Sequence, residues 1–67
     1  MDTMKQSTRT SKRDLEDLNL IAKALRLPVY IDPRAYGASV RIEGMDTYYR
    51  TNTEAYRAAN AYILARM

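Results

Sequence analysis

Residues 29–51, VYIDPRAYGASVRIEGMDTYYRT, contain three short runs of β-branched and aromatic residues separated by turn-forming residues. Apolar and polar side chains alternate along these runs, which is typical of strands that bury one face. The connecting segments contain glycine, proline and aspartate, which favour turns. Three strands with such short connections predict an antiparallel meander. The predicted strands are residues 29–31, 39–43 and 47–51, with a loop at 32–38 and a turn at 44–46.

An amphipathic helix is predicted before the strands. Ser11 has the character of an N-cap, and Asp14 supplies an acidic residue in the first turn. Pro28 is expected to end the helix, because the residue before a proline favours extended geometry. The apolar residues expected to pack on the sheet are Leu15, Leu18, Ile21, Ala22 and Leu25.

A second helix is predicted after the strands. Thr51 and Glu54 have the spacing of a capping box, so this helix should begin near residues 52–53. Its predicted inner face consists of Ala55, Ala59 and Tyr62, flanked by Tyr56 and Ile63. Together these elements predict an α+β fold in the order α-β-β-β-α, with both helices on one face of the sheet.

The chain has 67 residues, a length that supports one small domain. Residues 1–10 are predicted to be a flexible basic N-terminal arm, and residues 11–67 the folded domain. The chain has no cysteine and no histidine, which excludes thiolate chemistry and the usual acid–base residue near neutral pH. These absences argue against most enzyme classes.

The carboxylates offer no catalytic or metal-binding pattern. The acidic residues at the start of the first helix stabilise the helix dipole, so they need no catalytic role. The remaining acids have no ligand spacing, so we expect no catalytic residue, no metal and no cofactor. These scattered residues are Asp32, Glu43, Asp46 and Glu54.

The formal net charge is +3, and much of the excess lies near the start of the chain. Such an arm can contact an anionic partner, although a solvated tail is the alternative. No segment is apolar enough to span a membrane or to resemble a secretory signal, so we expect a cytoplasmic protein. The cations of the basic arm are Lys5, Arg9, Lys12 and Arg13.

Strand alternation leaves one face of the sheet uncovered, and tyrosines and arginines interleave on it. Arginine binds phosphate and guanine edges, and tyrosine stacks on bases, but both are also frequent at protein interfaces. The sequence leaves open which of Tyr48 and Tyr49 faces outward, because a one-residue slip exchanges them. Predicted face residues are Tyr30, Asp32, Ser39, Arg41, Glu43, Tyr48 and Arg50, extended by Arg34 and Tyr36 in the first loop.

We therefore expect a small non-catalytic binding module, with nucleic acid as the partner. Phosphate contacts from the arm would accompany contacts from the sheet face. The alternative is an inhibitor or adaptor that binds a larger protein through the same face or through the helix surface around Leu20. A solvated face with cross-strand ion pairs is the non-functional interpretation. The outer strands also have free edges, so a homodimer is a further alternative.

The segment Thr51-Asn52-Thr53-Glu54-Ala55-Tyr56-Arg57-Ala58-Ala59 has a polar cap followed by an alanine-rich run. With the α-β-β-β-α order, it resembles the double-stranded-RNA-binding domain over residues 11–65. That family has a lysine pair at the start of this helix, where this chain has Asn52 and Thr53. The resemblance therefore implies the topology and not the RNA-binding function.

The chain also looks like the small accessory proteins of bacteriophages, because it is short, cysteine-free and richer in arginine than in lysine. That likeness implies a regulator that acts by occluding a component of the host, in the host cytoplasm.

Overall fold

Two helices and a three-stranded antiparallel sheet make up residues 10–67, the part of the chain that the computed structural model describes. This architecture confirms the predicted α+β fold and its α-β-β-β-α order. Lys5 and Arg9 of the predicted basic arm lie outside the described residues. The elements are α1 (Lys12–Ala24), β1 (Val29–Pro33), β2 (Ala38–Ile42), β3 (Met45–Tyr49) and α2 (Asn52–Ala65).

Helix α1 has well-defined caps at both ends. The Ser11 hydroxyl accepts a hydrogen bond from the backbone of Asp14 at 3.2 Å, and the Asp14 carboxylate accepts one from the backbone of Ser11 at 3.0 Å. This capping box confirms the predicted start. The helix ends before Pro28, because Arg26 adopts the left-handed conformation and the backbone N–H of Leu27 bonds the carbonyl of Ala22.

The turn between β2 and β3 is tighter than predicted. Glu43 and Gly44 form a two-residue turn, and both have positive φ, at 53° and 89°. Such type I′ turns match the right-handed twist of a hairpin. The predicted turn at residues 44–46 was therefore misplaced. Met45 and Asp46 belong to β3, which ends at Tyr49 rather than at Thr51.

The two helices pack on one face of the sheet. Helix α1 contacts β1 and α2, while α2 crosses the sheet and contacts all three strands. The close approach of α2 is possible because its buried face begins with two alanines. The buried core comprises Leu15, Leu18, Ala22, Val29, Ile31, Ala38, Val40, Ala55, Ala59 and Ile63.

Some predicted core positions differ from the observed ones. Ile21 lies to the side of the α1 stripe, and Leu25 follows the last helical residue, so both remain more than 40% exposed. In α2, Ile63 is fully buried, and it continues the four-residue spacing of the two alanines. Tyr62 instead lies at the rim of the core. Tyr49 packs against the core and Tyr48 faces outward, which resolves the register.

An amide side chain joins α1 to the edge of the sheet. The Nδ2 of Asn19 donates to the carbonyl of Ile31 at 2.9 Å, and its Oδ1 accepts from the N–H of Ile31 at 2.8 Å. Ile31 is almost fully buried, so neither backbone group has ready access to water. Asn19 thus takes the place of a neighbouring strand at this point of β1.

Replacement of Asn19 should therefore destabilise the domain. Asn19→Ala leaves the N–H and C=O of Ile31 without their partner, and an unsatisfied buried group costs about 1 to 3 kcal/mol. We expect a decrease of about 2 kcal/mol in the free energy of unfolding, measured by urea denaturation and circular dichroism. Lys23→Ala, at an exposed position of the same helix, is the control and should change it little. Equal stability of the two variants would contradict this role.

The two glycines provide a second test. A Cβ on Gly37 would clash with the carbonyl oxygen of Tyr49, whereas a Cβ on Gly44 would meet nothing within 4 Å. Both have positive φ, so alanine is strained at either site by roughly 1 to 2 kcal/mol. Gly37→Ala adds a backbone clash and should lower the melting temperature much more than Gly44→Ala does. Similar melting temperatures would show that the loop at Gly37 shifts to accommodate the added Cβ, which would contradict the expected clash.

Candidate binding surface

The face of the sheet opposite the helices is the candidate site, and we call it the outer face. Its positions follow from the register, which pairs Arg41 with Tyr30 on one side and with Asp46 on the other. In the next row, Ser39 pairs with Asp32 and Tyr48. The outer face consists of Tyr30, Asp32, Ser39, Arg41, Asp46 and Tyr48.

Both arginines that reach the outer face are paired with an aspartate. Arg41 donates from Nε and Nη2 to the two carboxylate oxygens of Asp46, at 3.0 and 3.3 Å. Arg34, just beyond β1, places its Nε 3.3 Å from a carboxylate oxygen of Asp32. Two positive and two negative charges therefore balance across this face. These two hydrogen bonds hold the guanidinium group of Arg41 in one orientation.

The Arg41–Asp46 pair changes the acidity of the aspartate. The hydrogen bond from Arg41 is the main reason that the pKa of Asp46 is lowered, and the charges of Arg41 and Arg34 act in the same direction. Because folding lowers this pKa, the pair stabilises the fold above the pKa that Asp46 has in the unfolded chain. That contribution is lost as the pH falls through the lowered value.

Three tyrosine rings are exposed on and beside the outer face. Tyr30 is 55% exposed, Tyr48 is 53% exposed and Tyr36, in the loop after β1, is 82% exposed. The hydroxyl of Tyr48 donates to the backbone carbonyl of Tyr36, which ties the loop to β3. The rings thus have accessible faces on a surface whose polar groups are largely paired with one another.

Other predicted binding residues lie elsewhere. Arg50 follows the end of β3 and lines a broad depression with Tyr36 and the start of α2, beside Thr51. Lys12 and Arg13 are exposed in the first turn of α1, which belongs to the helical layer. The structure therefore brings Tyr30, Arg34, Arg41 and Tyr48 together, with Tyr36 at the margin. It places Arg50, Lys12 and Arg13 apart from this group.

Glu43 is not on the outer face, contrary to the prediction. It lies in the tight turn, where its carboxylate accepts a hydrogen bond from the hydroxyl of Tyr62 at 2.8 Å. Arg66 approaches the same carboxylate at 3.6 Å and stacks 3.7 Å from the centre of the Tyr62 ring. Partial burial is the main cause that raises the pKa of Tyr62, and the bond to Glu43 adds to it. This cluster anchors the end of α2 to the turn.

Asp46 is the outer-face residue that sequence reasoning missed. The predicted turn at residues 44–46 contains Asp46, whereas the structure places Asp46 in β3 opposite Arg41. The sequence feature that indicates its position is the Glu43–Gly44 dipeptide, since a two-residue turn there places Asp46 directly across from Arg41.

The polar groups of the outer face surround a shallow cleft of about 110 Å³. Within residues 10–67, no group of three or more acidic, histidine or cysteine side chains is arranged to hold a metal ion. No helix in the same part of the chain is both long and apolar enough to cross a membrane. The cleft is lined by Tyr30, Asp32, Arg34, Ser39, Arg41 and Asp46.

Comparison of the chain with protein-family models, curated proteins and solved structures gives no match. The observed α-β-β-β-α topology is consistent with the resemblance to the double-stranded-RNA-binding domain, but no family match supports that resemblance.

The ion pair can be tested by titration. Arg41→Gln removes the fork that holds the Asp46 carboxylate, so the pKa of Asp46 should rise toward that of an ordinary aspartate. Carboxyl ¹³C chemical shifts followed by NMR report this pKa directly. Arg34→Gln is the control, because Arg34 makes the smallest contribution to lowering this pKa and should shift it less. An unchanged pKa in Arg41→Gln would mean that the pair does not persist in solution.

Proposed function

We propose that this protein is a small non-catalytic binding module and that its outer face binds a protein partner. The observation that carries the proposal is the charge balance of this face: Arg34 and Arg41 are each paired with an aspartate, beside exposed tyrosine rings. A protein surface of mixed polarity complements such a face better than a polyanion does.

The side chains are suited to this role. Tyrosine and arginine are enriched among the residues that contribute most to protein–protein binding. Tyr30 and Tyr48 project from strands whose backbone is already ordered, and tyrosine has only two side-chain torsions, so binding orders few additional degrees of freedom. The bond from Tyr48 to the loop carbonyl of Tyr36 further restricts the site. The cleft beside Tyr30, lined mainly by the paired arginines and aspartates, offers room for a side chain of the partner.

Nucleic acid is the second candidate, and the exposed cations Lys12 and Arg13 favour it. Affinity for nucleic acid depends mainly on cations that neutralise phosphates and release counterions. On the outer face each arginine is already neutralised by an aspartate, and phosphate would have to displace it. Lys12 and Arg13 belong to the helical layer, so they do not supply the charge that this face lacks.

The biological role that fits such a module is regulation by occlusion. A chain of 67 residues can cover a functional surface of a larger host protein without carrying out chemistry itself. We place this activity in the cytoplasm of a host cell, as the likeness to phage accessory proteins implies.

A pair of variants tests the proposal. Tyr30→Ala combined with Tyr48→Ala removes both rings of the outer face, whereas Leu20→Ala removes a side chain that is 65% exposed on α1. Immobilised wild type and both variants are incubated with lysate of the host cell, and captured proteins are quantified by mass spectrometry. We expect a protein retained by the wild type and by Leu20→Ala but lost, by roughly tenfold or more, with the double variant.

Fluorescence anisotropy with labelled duplex DNA, single-stranded DNA and duplex RNA provides the opposing test. We expect no binding below roughly 100 μM at physiological salt, the weak end of non-specific affinity. Tighter binding that weakens steeply with salt and is lost in Arg41→Ala would transfer the assignment to nucleic acid. Loss of the captured protein only in Leu20→Ala would instead transfer the protein-binding site to α1.

A further inference from the structure

The two edge strands of the sheet differ in whether the backbone groups on their free side are already hydrogen-bonded. In an antiparallel pair, successive residues direct their backbone groups alternately toward the partner strand and away from it. Ile31 directs its groups to the free side of β1, and there the Asn19 amide binds both of them. Pro33, at the end of the same strand, has no N–H to offer. The edge at β1 is therefore closed to another strand.

The edge at β3 is open within residues 10–67. The two-residue turn makes Ile42 and Met45 a hydrogen-bonded pair, and the alternation continues to Val40 and Thr47. The backbone N–H and C=O of Asp46 and of Tyr48 consequently point away from β2. No hydrogen bond among the described residues involves these edge groups.

The inner side of β3 is also poorly covered. Met45 and Thr47 face the helical layer, yet Met45 is 74% exposed and Thr47 is exposed as well. Helix α1 does not reach β3, and α2 contacts it less than it contacts the other two strands. An apolar side chain beside an unpaired strand edge is typical of a surface onto which a further strand can add.

We propose that β3 pairs with β3 of a second copy of this chain, antiparallel, with Thr47 opposite Thr47 at the twofold axis. Asp46 then lies opposite Tyr48 of the second copy, and the two residues exchange two backbone hydrogen bonds. Symmetry repeats this pair on the other side of the axis. The four N–H and C=O groups on each edge strand are thereby all satisfied, and the interface is self-complementary.

The side chains support this register. Met45 lies opposite Tyr49 of the second copy, so an exposed thioether gains an aromatic ring as its neighbour. On the outer face, Asp46 lies opposite Tyr48, and no like charges face each other across the interface. A register centred on Asp46 would place two carboxylates directly opposite each other. A register centred on Tyr48 would leave Met45 without a neighbour on the other strand.

The dimer has a consequence for the outer face. Pairing at β3 joins two three-stranded sheets into one of six strands, with both outer faces on the same side. The dimerisation proposal depends only on the β3 edge, so it can be tested independently of the proposed protein partner.

Cysteine cross-linking tests the register, because the chain has no cysteine of its own. Residues in a non-hydrogen-bonded antiparallel pair have Cα atoms about 4.5 Å apart, within the range of about 4.4 to 6.8 Å that a disulfide spans. Thr47→Cys should therefore form a disulfide-linked dimer in a glutathione redox buffer. Met45→Cys is the matched control, because its two copies would lie about 13 Å apart. Equal cross-linking of the two variants would overturn the register.

Charged substitutions at Thr47 test the interface without a covalent bond. Light scattering and sedimentation of the full chain should show a dimer at concentrations of roughly 100 μM. Thr47→Lys and Thr47→Glu each place like charges opposite one another and should be monomeric, and an equimolar mixture should dimerise again. Both variants should keep the circular dichroism spectrum of the wild type, since Thr47 is exposed. A monomeric wild type, or a dimer that persists in Thr47→Lys, would overturn the proposal.

Discussion

The register of the β2–β3 hairpin determines which side chains the two faces of the sheet and its β3 edge present. Glu43 and Gly44 both adopt positive φ, and this two-residue turn pairs Ile42 with Met45. Because side chains alternate along a strand, a shift of one residue in the register of β3 would move Tyr48 to the core and Tyr49 to the surface. The same register places Asp46 across from Arg41 and directs the backbone of Asp46 to the free edge.

One-sided packing is the second constraint. Two short helices cover the inner face of β1 and β2 and only part of β3, and the buried alanines of α2 let it lie close to the strands. The other face must then be compatible with water, and it carries paired charges and the polar ends of tyrosine rings. These features satisfy the requirements of a solvated surface, and they also leave a preorganised surface for a partner.

The location of charge separates the two classes of partner. The sequence predicts Arg41 and Arg34 as contacts for a partner and leaves cross-strand ion pairs open as the alternative, and the structure shows both arginines beside aspartates. Among the described residues, Lys12 lies in the helical layer and Arg50 lies just beyond β3, so neither adds charge to the outer face. A net positive charge of the whole chain thus does not produce a positive outer face.

Local patterns in the sequence determined the fold. Caps at Ser11 and Thr51, alternation in the strands and helical spacing of apolar residues depend on neighbours within a few positions, so the α-β-β-β-α order could be read directly. Contacts between distant residues could not be read in this way. The bonds of Asn19 to Ile31 and the openness of the β3 edge depend on which strand each helix covers. Those are properties of the assembled tertiary structure, because the same side chains would be separate, solvated groups in any other arrangement.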